Sequence, residues 1–324
     1  MSKKPAVLAL VAHPDDIEFM MAGTMLMLQK HGWEMHYMTI ADGCCGTAID
    51  DIPTITAKRR AECQAACKLV GAVWHPAVCK DLEVFHTWDI ISKVLSVIRD
   101  VKPRVILTQS TDDYMEDHIN SCRVAVTAAF SRGMLNAICD PPRPPIQEDV
   151  TVYHAIPHGL MNPYRKRIEP EFFVNVSPVM QQKWDMLTCH TSQKEWLDVS
   201  QGMNAYQKVM QDFMGQLGVR SGKFQYAEGF RRRSWLGFSA TEIDPIAEVL
   251  GDGLLAFRDD EDDVVDPGVD GLFDGVLHEG FVDNGEHFLG HSLGSGEHAS
   301  AEAGREDERF IHLDHGAILR ALPQ

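Results

Sequence analysis

Residues 5–11, Pro-Ala-Val-Leu-Ala-Leu-Val, make a short, continuous apolar run that stops abruptly at Ala12-His13-Pro14-Asp15-Asp16-Ile17-Glu18. A run of this length without polar alternation suits a strand buried on both faces, which places it inside a parallel sheet covered by helices. Pro14 fixes its own φ and biases His13 towards an extended backbone, so the strand ends sharply and aims the side chains that follow. Residues 19–30 are apolar almost all round and read as a buried helix. In an open parallel sheet, ligands collect beyond the carboxyl ends of the strands, so His13, Asp15 and Asp16 are expected where chemistry normally sits.

The rest of the chain repeats this rhythm. Residues 33–40 alternate as a second strand, and residues 55–70 form an amphipathic helix closed by Gly71, a residue suited to ending a helix. A short strand near 72–74, a helix over 88–101 and a buried strand at 104–109 continue a βαβ pattern whose crossovers are right-handed. Further strands are expected at 150–156 and 171–176, and helices at 120–130, 178–189 and 196–217. The expected fold class is therefore α/β, a mostly parallel sheet flanked by helices, filling residues 1–250 as one domain.

One imidazole and several carboxylates within six positions are a donor set for a divalent metal. Catalytic zinc takes three protein ligands, commonly His and carboxylate, and keeps one position open. The strand at 104–109 leads into Ser110-Thr-Asp-Asp-Tyr-Met-Glu-Asp-His118, so His118 also lies at a strand's carboxyl end and supplies the missing ligand. His13, Asp16 and His118 are the expected metal ligands, for zinc or another divalent ion. The competing reading of His-Pro-Asp-Asp is a strand end with an Asp capping the next helix.

At this point the residues resemble the LmbE-like or PIG-L family of zinc-dependent N-acetyl deacetylases. The family signature, Ala-His-Pro-Asp-Asp with Glu two positions on, stands intact at Ala12 to Glu18. The likeness continues through Gly43 and Gly46, through Arg59 and Glu62, and through Asp117-His118. It then takes in His190-Thr-Ser-Gln193 and Tyr226-Ala-Glu-Gly-Phe230. It spans roughly residues 5–245 and implies a Rossmann-like fold, zinc on His13, Asp16 and His118, and Asp15 as the general base towards a metal-activated water. The implied reaction removes an N-acetyl or N-acyl group from an amino sugar or glucosaminide. The implied partner is thus a small N-acetylated sugar or glycoconjugate.

Two positions depart from the family pattern. Many members carry a His that stabilises the tetrahedral oxyanion where this chain has Met115, which cannot donate a hydrogen bond. Loss of such a donor costs about 100-fold to 1,000-fold in turnover. His158, in Tyr153-His154-Ala-Ile-Pro-His158-Gly159, is the expected replacement, although both imidazoles also read as ordinary strand-end residues. Cys44 stands where many relatives have Glu, which alters a substrate-facing loop. Arg59 reads either as a solvated helix residue or as a contact to substrate. With Tyr114 it is taken as part of the pocket wall. His190 either caps its helix or reaches the site. An amidase acting on a non-sugar conjugate, and a metal- or sugar-binding module without activity, are the alternatives.

Composition excludes several other classes. Of the net charge of −17, residues 251–324 hold 18 acidic and 4 basic side chains, so the remainder is close to neutral. That acidic, Gly-rich tail is expected to be weakly ordered. A near-neutral body and an acidic tail disfavour nucleic acid. Carboxylates after the first strand would repel the phosphates of a dinucleotide. The eight cysteines contain no Cys-x-x-Cys pair and read as free thiols of a reducing compartment. No run approaches the length of a membrane span and residues 1–11 do not make a signal peptide, so a cytoplasmic protein is expected, possible as a homo-oligomer.

Overall fold

The computed structural model describes residues 4–193 and 205–258. The first apolar run is strand β1 (Ala6–Val11), buried at every position. It pairs in parallel with β2 (Glu34–Thr39) on one side and with β4 (Val105–Thr108) on the other. β3 (Val73–His75) extends the sheet beyond β2, and β5 (Thr151–Ala155) extends it beyond β4, again in parallel. The chain then adds β7 (Ala227–Arg232), β6 (Phe172–Asn175) and β8 (Leu255–Phe257), all antiparallel. The order is β3-β2-β1-β4-β5-β7-β6-β8. This is the expected α/β architecture with a mostly parallel centre.

The order reverses direction between β1 and β4. The chain first runs outward from β1 through β2 to β3, then returns to lay β4 against the other edge of β1. Leu10 pairs with Thr108, so the carboxyl ends of β1 and β4 open side by side on one crevice. The segments leaving those two ends carry the His-Pro-Asp-Asp motif and His118.

Helices cover both faces. α4 (Trp88–Val101) buries Ile90, Ile91, Val94, Leu95 and Ile98, the stripe that 3.6-residue periodicity places on one side. It packs with Val124, Ala125, Ala128 and Ala129 of α5 (Glu116–Phe130) on Leu8, Leu10 and Ile106 of the sheet. The opposite layer holds α3 (Ile52–Val70), with Asp51 capping its start through Thr54 N and Gly71 ending it at φ 71°. α6 (Met180–Thr188) packs against α3, and α7 (Ala205–Arg220) against β7.

Three elements differ from the sequence expectation. The helix expected over 19–30 is two, α1 (Asp16–Met20) and α2 (Ala22–Lys30), broken at Met21 with φ −148°. The break is held from far along the chain. Glu228 of β7 accepts the free N–H groups of Gly23 and Thr24 at 2.8 and 2.7 Å, and Lys183 donates to Phe19 O at 3.1 Å. α5 starts four residues earlier than expected, which puts His118 in its first turn. Finally, α8 (Pro245–Leu250) leads into β8, so a strand of the sheet lies past residue 250. Residues 259–324 of the acidic tail, and residues 194–204 with the first part of the helix expected at 196–217, fall outside the described residues.

Candidate active site and metal centre

His13, Asp16 and His118 converge in the crevice, with one ligating atom from each inside a 4.8 Å cluster. His13 Nε2 is 3.0 Å from Asp117 Oδ2, which leaves Nδ1 turned to the cluster, 3.6 Å from Asp16 Oδ2. His118 is arranged the same way. Its Nδ1 lies 3.1 Å from Asp113 Oδ1 and its Nε2 3.4 Å from Asp16 Oδ1. A carboxylate behind each imidazole fixes ring orientation and raises ligand basicity, the usual support of metal-binding histidines. Asp16 Oδ2 accepts the His13 backbone N–H at 2.7 Å and Gln109 Nε2 at 2.9 Å, so Oδ1 keeps its lone pairs for a ligand.

The electrostatics are those of a cation site. Burial alone would lower the pKa of His13, but Asp117 and Asp16 outweigh it and push it up to about 10. Burial also opposes charge on Asp16, yet His118 and His13 hold its carboxyl down at about 2. Two imidazoles and one carboxylate with surplus negative charge behind them fit a divalent ion such as zinc, whose protein ligands are of these types.

Asp15 is set apart from this cluster. It occupies the position before α1 at φ 92°, a backbone region that costs a non-glycine residue about 1–3 kcal/mol, and its side chain makes no capping hydrogen bond. The capping reading of the motif therefore fails. Instead the Tyr206 hydroxyl of α7 donates to Asp15 Oδ2, and Arg59 Nη2 lies 3.3 Å from the same oxygen. Burial pushes the Asp15 carboxyl above its ordinary value, with Arg59 opposing.

Arg59 is not the solvated helix residue that one reading expected: at 2 % exposure it donates to Pro14 O at 2.5 Å and faces Asp15. Its partner Glu62, 3.7 Å away, in turn accepts from Thr191 Oγ1, Ser192 N and Ser192 Oγ at 2.7 to 3.0 Å. The His-Thr-Ser segment thus serves to anchor α3. His190 reaches neither solvent nor the metal cluster. It lies fully buried with Nε2 3.2 Å from Glu18 Oε1, while Glu18 Oε2 accepts from Tyr37 at 2.9 Å.

Tyr114 lies beside the site, 54 % exposed, with its ring edge-on to His118 at 5.7 Å. His158 lies after β5 between Phe19 and Phe213, at 5.9 and 5.5 Å. Burial lowers its pKa, with Asp113 and Asp16 opposing and His118 adding to the shift. His154 points into the core instead, with Nδ1 3.0 Å from Gln109 O. Met115 supplies a backbone N–H to Asp113 at 3.0 Å. Tyr206, Gln109 and Asp113 are parts of the site that sequence reasoning missed. Tyr206 was hidden in a helix of mixed polarity, and Gln109 as the last residue of an expected strand. Asp113 is one of several carboxylates in its loop, with no pattern to single it out.

The segment that builds this crevice, residues 8–130, matches the family model described as PIG-L, GlcNAc-PI de-N-acetylase. Over these residues the chain carries a PIG-L family match. PIG-L family deacetylases are hydrolases of amide bonds. A diacetylchitobiose deacetylase of Thermococcus kodakarensis is 24 % identical over 234 residues, covering 69 % of this chain and 82 % of the relative. Among solved structures, the 4-carboxy-2-hydroxymuconate hydratase GalB of Pseudomonas putida KT2440 matches with a TM-score of 0.60 at 20 % identity. That match covers 74 % of this chain and 99 % of GalB. The N,N'-diacetylchitobiose deacetylase of Pyrococcus horikoshii matches at 0.59 and 20 %, over 74 % of this chain and 87 % of that one. These structural likenesses establish the LmbE-like fold, which carries both a hydratase and a deacetylase. No helix among the described residues is long and apolar enough to cross a membrane.

Proposed function

We propose that this protein is a metal-dependent N-deacetylase that releases acetate, or a related acid, from an N-acylated amino sugar or glucosaminide. The observation that carries the reading is the division of labour around Asp15 and Asp16. Asp16 joins His13 and His118 in a three-donor cluster, while the adjacent Asp15 is held outside that cluster by Tyr206 and Arg59. A binding module needs no such spare carboxylate. The relatives named for deacetylation of diacetylchitobiose support the choice of an amide of an amino sugar.

His13, Asp16 and His118 would hold the metal, which when bound supplies Lewis acidity to a carbonyl and lowers the pKa of water to about 7. Asp15, raised by burial, takes a proton from the attacking water and returns it to the departing amine, so one water and one amide give one carboxylic acid and one amine. His158, seated after β5 against Phe19 and Phe213, donates a hydrogen bond to the developing oxyanion in place of the donor that Met115 lacks. Tyr114 forms a wall of the substrate pocket. Arg59 keeps Asp15 in place.

The test is release of primary amine from a panel of N-acetylglucosaminides and larger N-acyl sugars by zinc-loaded protein. Asp15→Asn is the control. Release by the wild type, with retention of metal and loss of most turnover in Asp15→Asn, is the expected result. No release from any sugar by stoichiometrically loaded wild type would reject the reading and favour an amide without a sugar, or water addition of the kind GalB's name describes.

A further inference from the structure

A second group of ligating atoms lies outside the centre just described. Cys44 Sγ, Cys45 Sγ and an Asp81 carboxylate oxygen all fall within 4.8 Å of one another. The two sulfurs are 3.9 Å apart, far beyond the roughly 2.05 Å of a disulfide. Two thiolates on one tetrahedral zinc, each at about 2.3 Å, stand about 3.8 Å apart. The pair is therefore already spaced as two arms of one tetrahedral site.

The loop that presents them is tied down. Asp81 accepts Gly43 N–H at 2.7 Å with Oδ1 and Cys45 N–H at 2.8 Å with Oδ2, while Asp42 Oδ1 accepts Cys44 N–H at 3.1 Å. Gly43 runs at φ 79° and packs so closely on Arg59 and Pro14 that an added Cβ would come within 2.9 Å of Arg59 Nε. Cys45 is exposed and Cys44 nearly buried, so a cation arrives from the Cys45 side and a water completes its coordination. The carboxylates of Asp42 and Asp81 add negative charge around the sulfurs, which disfavours a bare thiolate and favours a cation that neutralises it.

We propose that Cys44, Cys45 and Asp81 form a second metal site, for a thiophilic divalent ion such as zinc or cadmium, separate from His13, Asp16 and His118. Binding replaces the two S–H protons, which leave to solvent, with two metal–sulfur bonds. The ion keeps its charge and no electron moves. The site borders the first through a short chain of contacts. Leu82, next to Asp81, donates its N–H to Asp117 Oδ2 at 2.7 Å, and Asp117 holds His13. The assignment rests on these three residues and does not depend on the reaction proposed above.

The experiment is a cadmium titration of the reduced full-length protein, read by ultraviolet thiolate-to-cadmium charge transfer together with bound metal per chain. Wild type should take up two ions per chain and show the charge-transfer band. Cys45→Ser, which removes one exposed sulfur without disturbing the core, should lose the band and one ion. His118→Ala should lose one ion and keep the band. Three results would overturn the proposal: no band in wild type, a band that survives in the Cys44→Ser/Cys45→Ser double variant, or a band that disappears in His118→Ala. Far-ultraviolet circular dichroism of each variant confirms that the loss comes from the ligand and not from unfolding.

Discussion

The hydroxyl of Tyr206 donates to Asp15 Oδ2 across 191 residues of sequence, and Arg59 Nη2 of α3 lies 3.3 Å from the same oxygen. The second oxygen of Asp15 is thereby the one left for the proton transfer proposed above. A hydrogen bond to a charged group contributes about 1.5–3 kcal/mol. Tyr206→Phe should keep the fold and the bound metal and lower kcat about tenfold or more, with a smaller effect on KM. Steady-state kinetics beside metal analysis of the same preparation checks this, and an unchanged kcat would remove Tyr206 from the site.

Asp117 accepts from His13 Nε2 at 3.0 Å and from Leu82 N at 2.7 Å, so it fixes both the ring and the loop facing it. Replacement of such an outer carboxylate weakens metal binding by about 10-fold to 100-fold. Asp117→Asn should show that loss in competition with a chromophoric chelator. Thermal stability of the metal-free protein should fall far less. Wild-type affinity in Asp117→Asn would mean that His13 needs no partner to ligate.

What the sequence disclosed follows from range. β1 and the His-Pro-Asp-Asp turn are legible because a continuous apolar run and a proline act within a few residues. His118 is legible because it also follows a buried strand. The break at Met21 is not, since the 19–30 run looks like one apolar helix and the break is stabilised by Glu228 and Lys183 from distant elements. Arg59 was open between solvent and substrate for a related reason: an amphipathic helix does not say which way one charge turns, and only the packed layers show it facing inward to Asp15. Period-2 alternation is absent from β7, buried at its first four positions, so that strand was recognised only as a family segment.

Lys183 and Glu228 make an ion pair of 2.5 Å in which neither side chain is exposed. Glu228 also accepts two α2 N–H groups, and burial lowers the Lys183 pKa against the pull of Glu228. Breaking a buried pair from one side leaves an uncompensated charge and costs about 3–5 kcal/mol. Lys183→Met should destabilise by that order in urea unfolding of the metal-free protein. A cost below about 1 kcal/mol would show that the two N–H donors alone suffice for Glu228.

His36 Nδ1 and His75 Nε2 meet at 2.9 Å where β2 lies beside β3, with their rings stacked at 5.2 Å. Burial, then repulsion from His36, lowers the His75 pKa from 6.5 to about 4. The unfolded chain therefore binds more protons than the folded one between those values. Stability from this group is complete above about pH 6.5 and drains away as pH falls towards 4. His75→Asn keeps a polar partner for His36 and removes the titration. Unfolding free energies of metal-free wild type and variant at about pH 7 and pH 5 should show a smaller acid loss in the variant, by about 1 kcal/mol for this partly exposed ring. Equal losses in both proteins would locate the acid sensitivity in other groups.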